Sequence, residues 1–144
     1  YITKKKFVIA SGYFNPIHMG HIDYLKQSKQ HGDYLFIIVN SDYQVKLKGS
    51  KIFMDEGERL EIIKNIKCVD DAMVAIDNSK CVIDSIKYLY TKYKMYYNFI
   101  FTNGGDQFFF DSPESDICKQ LKIKTIDGLG QKIQSSSWLL NKNK

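Results

Sequence analysis

The chain has 144 residues, 44% of them hydrophobic and 14% aromatic, and carries a formal charge of +5. That length and apolar content predict one domain spanning 1–144 with a continuous core, and exclude a disordered chain. The excess charge is lysine, with Arg59 the single arginine, and it fits a phosphorylated anion as substrate better than a nucleic-acid footprint.

Cys68, Cys81 and Cys118 lie far apart without a CxxC pair, which argues against a disulfide scaffold and for a cytoplasmic location. We find no apolar run long enough to span a membrane and no basic segment leading into a signal-peptide core.

In chain order, the apolar run at 7–10 predicts a buried parallel strand. "GYFNPIHMGH" (12–21) follows it, and a helix over 21–30 turns Ile22, Tyr24 and Leu25 inward. A second strand at 34–39 leads into "NSDYQVKLKGSK" (40–51), read as a loop. The next helix, 55–66, buries Leu60, Ile62, Ile63 and Ile66 and leaves Arg59 on its polar side. A strand at 72–76, a helix at 82–93 and a strand at 99–101 precede the loop "TNGGDQ" (102–107). Ser112, Pro113 and Glu114 open a short helix. A fifth strand at 123–126 then leads into "GLGQKIQSSS" (128–137), with a terminal helix from about Ser136. This alternation predicts an open, doubly wound α/β sheet of about five parallel strands with helices on both faces.

In such a sheet ligands bind beyond the carboxyl ends of the strands, where the strand order reverses. Four glycine-rich or polar loops converge on that rim. In the first, Gly12 permits close backbone approach, Pro16 presets a dihedral, and Gly20 allows a phosphate to pack against the following helix. His18 and His21 can then donate to phosphoryl oxygens. Two ordinary turn histidines would explain the pair but not its glycine and proline frame. Zinc requires three or four ligands, and no other histidine or cysteine stands at matching spacing.

Lys46 and Lys48 supply one cation for a triphosphate and one for an acceptor, against the alternative of a solvated charge run. Arg59, the sole guanidinium, is the candidate for a bidentate grip on the acceptor phosphate, against an exposed pairing with Asp55 or Glu56. Asp106, after two glycines, can face a ribose, a base or hydrated Mg²⁺, or close an Asx turn. Ser135 or Ser136 can cap a helix whose start meets a phosphate. Phe108, Phe109 and Phe110 cannot all face the core of so small a domain, and some are expected to cover a nucleotide or meet a second subunit.

"GYFNPIHMGHIDYL" resembles the first motif of the HxGH nucleotidyltransferases of the cytidylyltransferase-like superfamily, with His18 and His21 in the two histidine places. "VNSDYQVKLKG", "GERLEII" and "SSSW" resemble the lysine loop, acceptor helix and last motif of its members. The resemblance implies a single Rossmann-like domain that transfers a nucleotide from a triphosphate to a phosphate-bearing acceptor, with Mg²⁺, as a homodimer. It implies catalytic roles for His18, His21 and Lys46, and acceptor contacts for Lys48 and Arg59. Nucleotide contacts fall to Gly12, Tyr13, Phe14, Asn15, Gly20, Gly104, Asp106, Gln134, Ser135, Ser136 and Ser137.

Gly130 stands where the glycerol-phosphate and ethanolamine-phosphate cytidylyltransferases carry an arginine, with Lys132 the nearest substitute. Compact length and the serine motif favour CTP, whereas "VNSD" and "LKG" also resemble adenylyltransferases acting on heptose 1-phosphate, which use ATP. A single-stranded nucleic-acid binder built on "KYKMYY" is the non-enzymatic alternative; it leaves the histidine loop unexplained.

Overall fold

The computed structural model describes residues 4–104 and 113–129. In order, the elements are β1 (Lys5–Gly12), α1 (Met19–Lys29), β2 (Tyr34–Val39), α2 (Asp42–Leu47), α3 (Glu56–Lys64), β3 (Asp71–Val74), α4 (Ile83–Tyr93), β4 (Tyr97–Gly104), α5 (Pro113–Gln120) and β5 (Lys124–Leu129). The five strands form one sheet in the order β3-β2-β1-β4-β5, and every neighbouring pair is parallel.

The apolar runs read as strands because successive side chains feed opposite cores. Phe7 and Ile9 of β1 join Phe36, Ile38, Phe99 and Phe101 on the face covered by α4 and α5. Val8 and Ala10 join Leu35, Ile37, Val39 and Ile100 on the other face, which receives Leu25 of α1 and Ile63 of α3. Each central strand is therefore apolar on both sides, as a doubly wound sheet requires.

One local difference from the sequence reading has an identifiable cause, and the start of α4 shows a cap supplied from outside the helix. The expected loop after β2 begins instead with α2, where Ser41 accepts from the Gln44 N–H and the Gln44 side chain accepts from the Ser41 N–H. This capping box starts a helix too short to display hydrophobic periodicity. α4 begins at Ile83 without a cap from its own N-cap residue, Val82. The buried Asp77 carboxylate supplies it from six residues upstream, accepting from the Asp84 and Ser85 N–H groups and from the Ser85 hydroxyl.

The chain winds outward from β1 through β2 to β3, then crosses back to place β4 on the other side of β1. Their carboxyl ends, Gly12 and Gly104, thus flank the point where the strand order reverses, the expected ligand crevice. Tyr24 ties α1 to this edge by donating its hydroxyl to the Thr102 carbonyl at 2.7 Å.

Candidate active site

His18 is the N-cap of α1 and His21 occupies the third helical position, so the two form a capping box from histidine alone. The His18 Nδ1 accepts from the Gly20 N–H at 3.1 Å, and the His21 Nδ1 accepts from the His18 N–H at 3.1 Å. Each ring therefore keeps its proton on Nε2, the nitrogen facing away from the turn. The rings stack with centroids 3.9 Å apart and planes 27° from parallel, which aligns two N–H donors. Burial, and secondarily the neighbouring His18, push the His21 pKa down to about 4. His21 is thus a neutral donor at physiological pH, suited to oxygens that gain negative charge during a reaction.

Gly20 also serves the His18 ring itself. A Cβ there would lie 3.0 Å from Cε1 and 3.1 Å from Nδ1 of His18, so the glycine makes room for the histidine ring. Phe14 likewise supports the pair from beneath. It is 1% exposed, adopts a positive φ of 50°, and meets the His21 ring edge-on at 5.1 Å. A Cβ on Gly12 would fall 2.8 Å from the Phe14 ring, so a bare backbone is required under it. The Phe14 side chain is a buried wedge under the histidine loop.

The expectation that Arg59 faces solvent on a polar helix side is corrected. Arg59 is 1% exposed and shares the buried side of α3 with Ile63. Its guanidinium donates to the carbonyls of Met54, Tyr13 and Asn40 and to the Asp42 carboxylate, at 2.6–2.8 Å. Those partners come from the segments after β1, after β2 and before α3. A charge that must be buried is satisfied by all three, and four bonds of the fork hold the cleft together.

Asn15 makes a second such tie. Its amide donates to the Lys51 carbonyl and its oxygen accepts from the Phe53 and Met54 N–H groups. The side chain thereby clamps the histidine loop to the segment leading into α3. Sequence reasoning missed the hub around α2, where Gln44 accepts from Asn40 and donates to the Ser79 and Cys81 carbonyls. The visible signal was Ser41-x-x-Gln44, a capping-box spacing.

Tyr13 and Lys48 come together at the rim, with the Lys48 ammonium 4.2 Å from the Tyr13 ring centroid. Burial, followed by Glu114, raises the Tyr13 hydroxyl pKa. Lys46 is exposed in the last turn of α2 and Lys48 is its C-cap, so both leave the strand rim on a helix. Gly104 ends β4 against Tyr24, where a Cβ would approach the ring to 3.3 Å. Asp106, Lys132, Gln134, Ser135, Ser136, Ser137, Phe108, Phe109, Phe110 and the terminal helix lie outside the described residues.

Among the described residues no group of three or more His, Cys, Asp or Glu side chains converges as a metal site, and no helix is long and apolar enough to cross a membrane. A pair of imidazole donors at a helix start, beside exposed lysines at the strand-order reversal, can bind a polyphosphate and stabilise charge on it.

Comparison with known proteins agrees with this chemistry. The chain is 33% identical over 118 residues to the FAD synthase of Picrophilus torridus, covering 82% of this chain and 78% of that protein. It is 30% identical over 127 residues to the bifunctional protein HldE of Aliarcobacter butzleri, covering 86% of this chain but 25% of that protein. Other FAD synthases match over about half their length. The crystal structure of the lipopolysaccharide core biosynthesis protein from Thermoplasma volcanium superposes with a TM-score of 0.70 at 27% identity, covering 89% of this chain and 99% of that one. Residues 9–126 match the family described as cytidylyltransferase-like. With the histidine capping box inside that span, the chain belongs to the cytidylyltransferase-like family and is a nucleotidyltransferase.

Proposed function

We propose that the protein transfers the adenylyl group of ATP to the phosphate of a small acceptor. An acceptor phosphate oxygen attacks the α-phosphorus, the bond between the α-phosphorus and its bridging oxygen breaks, and pyrophosphate leaves. The acceptor oxygen is already a nucleophile, so the protein's task is positioning and charge neutralisation. His18 and His21 donate their Nε2 protons to phosphoryl oxygens, Lys46 approaches the triphosphate and Lys48 the acceptor. Mg²⁺ would be held by triphosphate oxygens and water, since this ion commonly keeps several waters and binds through substrate phosphates.

The similarity to an FAD synthase across most of the chain carries the preference for ATP over CTP. FAD is chemically an AMP unit joined by a pyrophosphate linkage to a flavin phosphate. The CTP lean drawn from the serine motif rested on a segment where the expected arginine is replaced by Gly130. Flavin mononucleotide is therefore the first acceptor to test, followed by sugar 1-phosphates.

The test is magnesium-dependent pyrophosphate release from ATP or CTP, each paired with flavin mononucleotide and with hexose and heptose 1-phosphates. The expected result is release with ATP that depends on acceptor and exceeds the CTP rate at least tenfold. Preferred use of CTP would restore the cytidylyl alternative; no acceptor-dependent release with either nucleotide would overturn both.

A further inference from the structure

The edge of the sheet opposite the histidines carries a second concentration of phosphate-binding chemistry. At the amino-terminal ends of β1, β4 and β5 lies a cavity of about 370 Å³ whose wall contains Lys4, Lys6, Lys94, Lys122 and Lys124 and no Asp or Glu. The eight residues of β1 separate this edge from Gly12 by roughly 23 Å at an ordinary strand rise, so one small ligand cannot occupy both places.

Five ammonium groups around one cavity repel one another, and among the described residues none of them forms an ion pair. The carboxylate of Asp33 accepts from the backbone N–H of Lys6. Lys4 donates to the Lys94 backbone carbonyl at the end of α4, and the Lys94 ammonium lies 5.9 Å from the Tyr90 ring centroid.

Lys122 is placed at a conformational cost. α5 ends with the Lys122 N–H bonded to the Lys119 carbonyl and the Ile123 N–H to the Cys118 carbonyl. That pairing puts Lys122 at the left-handed position, with φ of 60°, where glycine is favoured. The chain carries a lysine there and so adds a charge to the cavity. Tyr90 and Tyr97 supply flat, half-buried walls.

We infer that this cavity is a second anion site, separate from the active site, that binds a small polyphosphate. Two or three closely spaced phosphate groups would relieve the repulsion through charge-assisted hydrogen bonds, and the volume is that of a small-molecule site. The phosphates can belong to a free polyphosphate or to a nucleotide whose base lies against the tyrosines. The inference does not depend on which reaction the active site performs, because the readout is binding.

The experiment titrates wild type and the Lys122→Gly/Lys124→Ala double variant with inorganic tripolyphosphate and, separately, with ADP by calorimetry at low salt. Glycine relieves the left-handed position, so the variant is expected to melt no lower than wild type. Wild type should bind one equivalent more than the variant, or bind the corresponding equivalent at least tenfold more tightly. Tighter binding of ADP than of tripolyphosphate at this equivalent would assign the site to nucleotides; equal or weaker binding would assign it to the phosphate chain.

Lysine acylation of wild type, mapped by mass spectrometry, gives a second readout: tripolyphosphate should protect Lys122 and Lys124. Identical stoichiometry and affinity in both proteins, or no protection of these lysines, overturns the inference. So does loss of single-stranded oligonucleotide binding in the variant with tripolyphosphate binding unchanged, which would make this face a nucleic-acid surface.

Discussion

The imidazoles of His18 and His21 stack 3.9 Å apart, each with its Nδ1 occupied by a backbone N–H of the same turn. Capping and chemistry are therefore divided between the two nitrogens of each ring. Asparagine can retain an acceptor near the Nδ1 position but has no donor at the Nε2 position. His18→Asn is expected to keep the melting temperature near wild type while lowering kcat roughly a hundredfold. His18→Ala should lose as much kcat and about 1 kcal/mol of stability with the cap. Thermal melts run beside steady-state kinetics separate the two effects, and an asparagine variant with full kcat would remove His18 from the chemistry.

Depression of the His21 pKa from 6.5 to about 4 makes a signed prediction. Between those values the unfolded chain binds a proton at His21 that the folded chain does not. Stability from this residue is therefore complete above pH 6.5 and declines as pH falls toward 4. His21→Asn should flatten that part of the stability profile. Denaturant melts of both proteins from pH 4 to 8 test it; parallel curves would show that His21 titrates normally.

Arg59 is now expected to behave as a tie rather than as an acceptor contact. Arg59→Lys cannot reproduce four directed bonds to Met54, Tyr13, Asn40 and Asp42. It should cost roughly 3 kcal/mol or more and weaken nucleotide and acceptor together, because three segments of the cleft lose their common anchor. Separate ligand titrations and a urea melt provide the check. Weakened acceptor binding with unchanged stability would return Arg59 to direct recognition.

Gly20→Ala places a methyl group 3.0 Å from the His18 ring without disturbing a distant core. The ring must shift by a few tenths of an ångström, moving its Nε2 donor. We expect a fall in kcat of about tenfold with the fold retained. Unchanged kcat would show that the donor geometry tolerates such displacement.

Lys46 and Lys48 are exposed, so their substitution tests function with little structural interference. Lys46→Ala and Lys48→Ala should each change stability by less than about 0.5 kcal/mol. Lys46→Ala is expected to lower kcat, whereas Lys48→Ala should chiefly raise the acceptor KM. Equal kinetic constants in both variants and wild type would leave these lysines as solvated surface charge.

Much of this arrangement is written locally. Parallel strands buried on both faces are short apolar runs, so 7–10 and 34–39 lie within their observed strands, and the strand-to-helix turn carrying His18 and His21 is legible from spacing alone. Ser41 and Gln44 also left a local sign of α2, although six residues are too few for a hydrophobic period to display it. The side-chain tautomers follow from a capping box four residues long, a relation visible in the string only when histidine is considered as a cap.

The fate of Arg59 was decided elsewhere. Its spacing on α3 matched a polar side, but its partners Asn40 and Tyr13 are 19 and 46 residues distant. Only the closing of β1 beside β2 puts their carbonyls within reach of one guanidinium, and only then can so polar a side chain be buried. Asn15 became a clamp for the same reason, across 36–39 residues. Periodicity reports the environment that neighbouring turns create, whereas carbonyls delivered by distant loops change what that environment accepts. The chain order thus determines which loops share the rim, and tertiary closure determines which polar side chains there bind the protein itself.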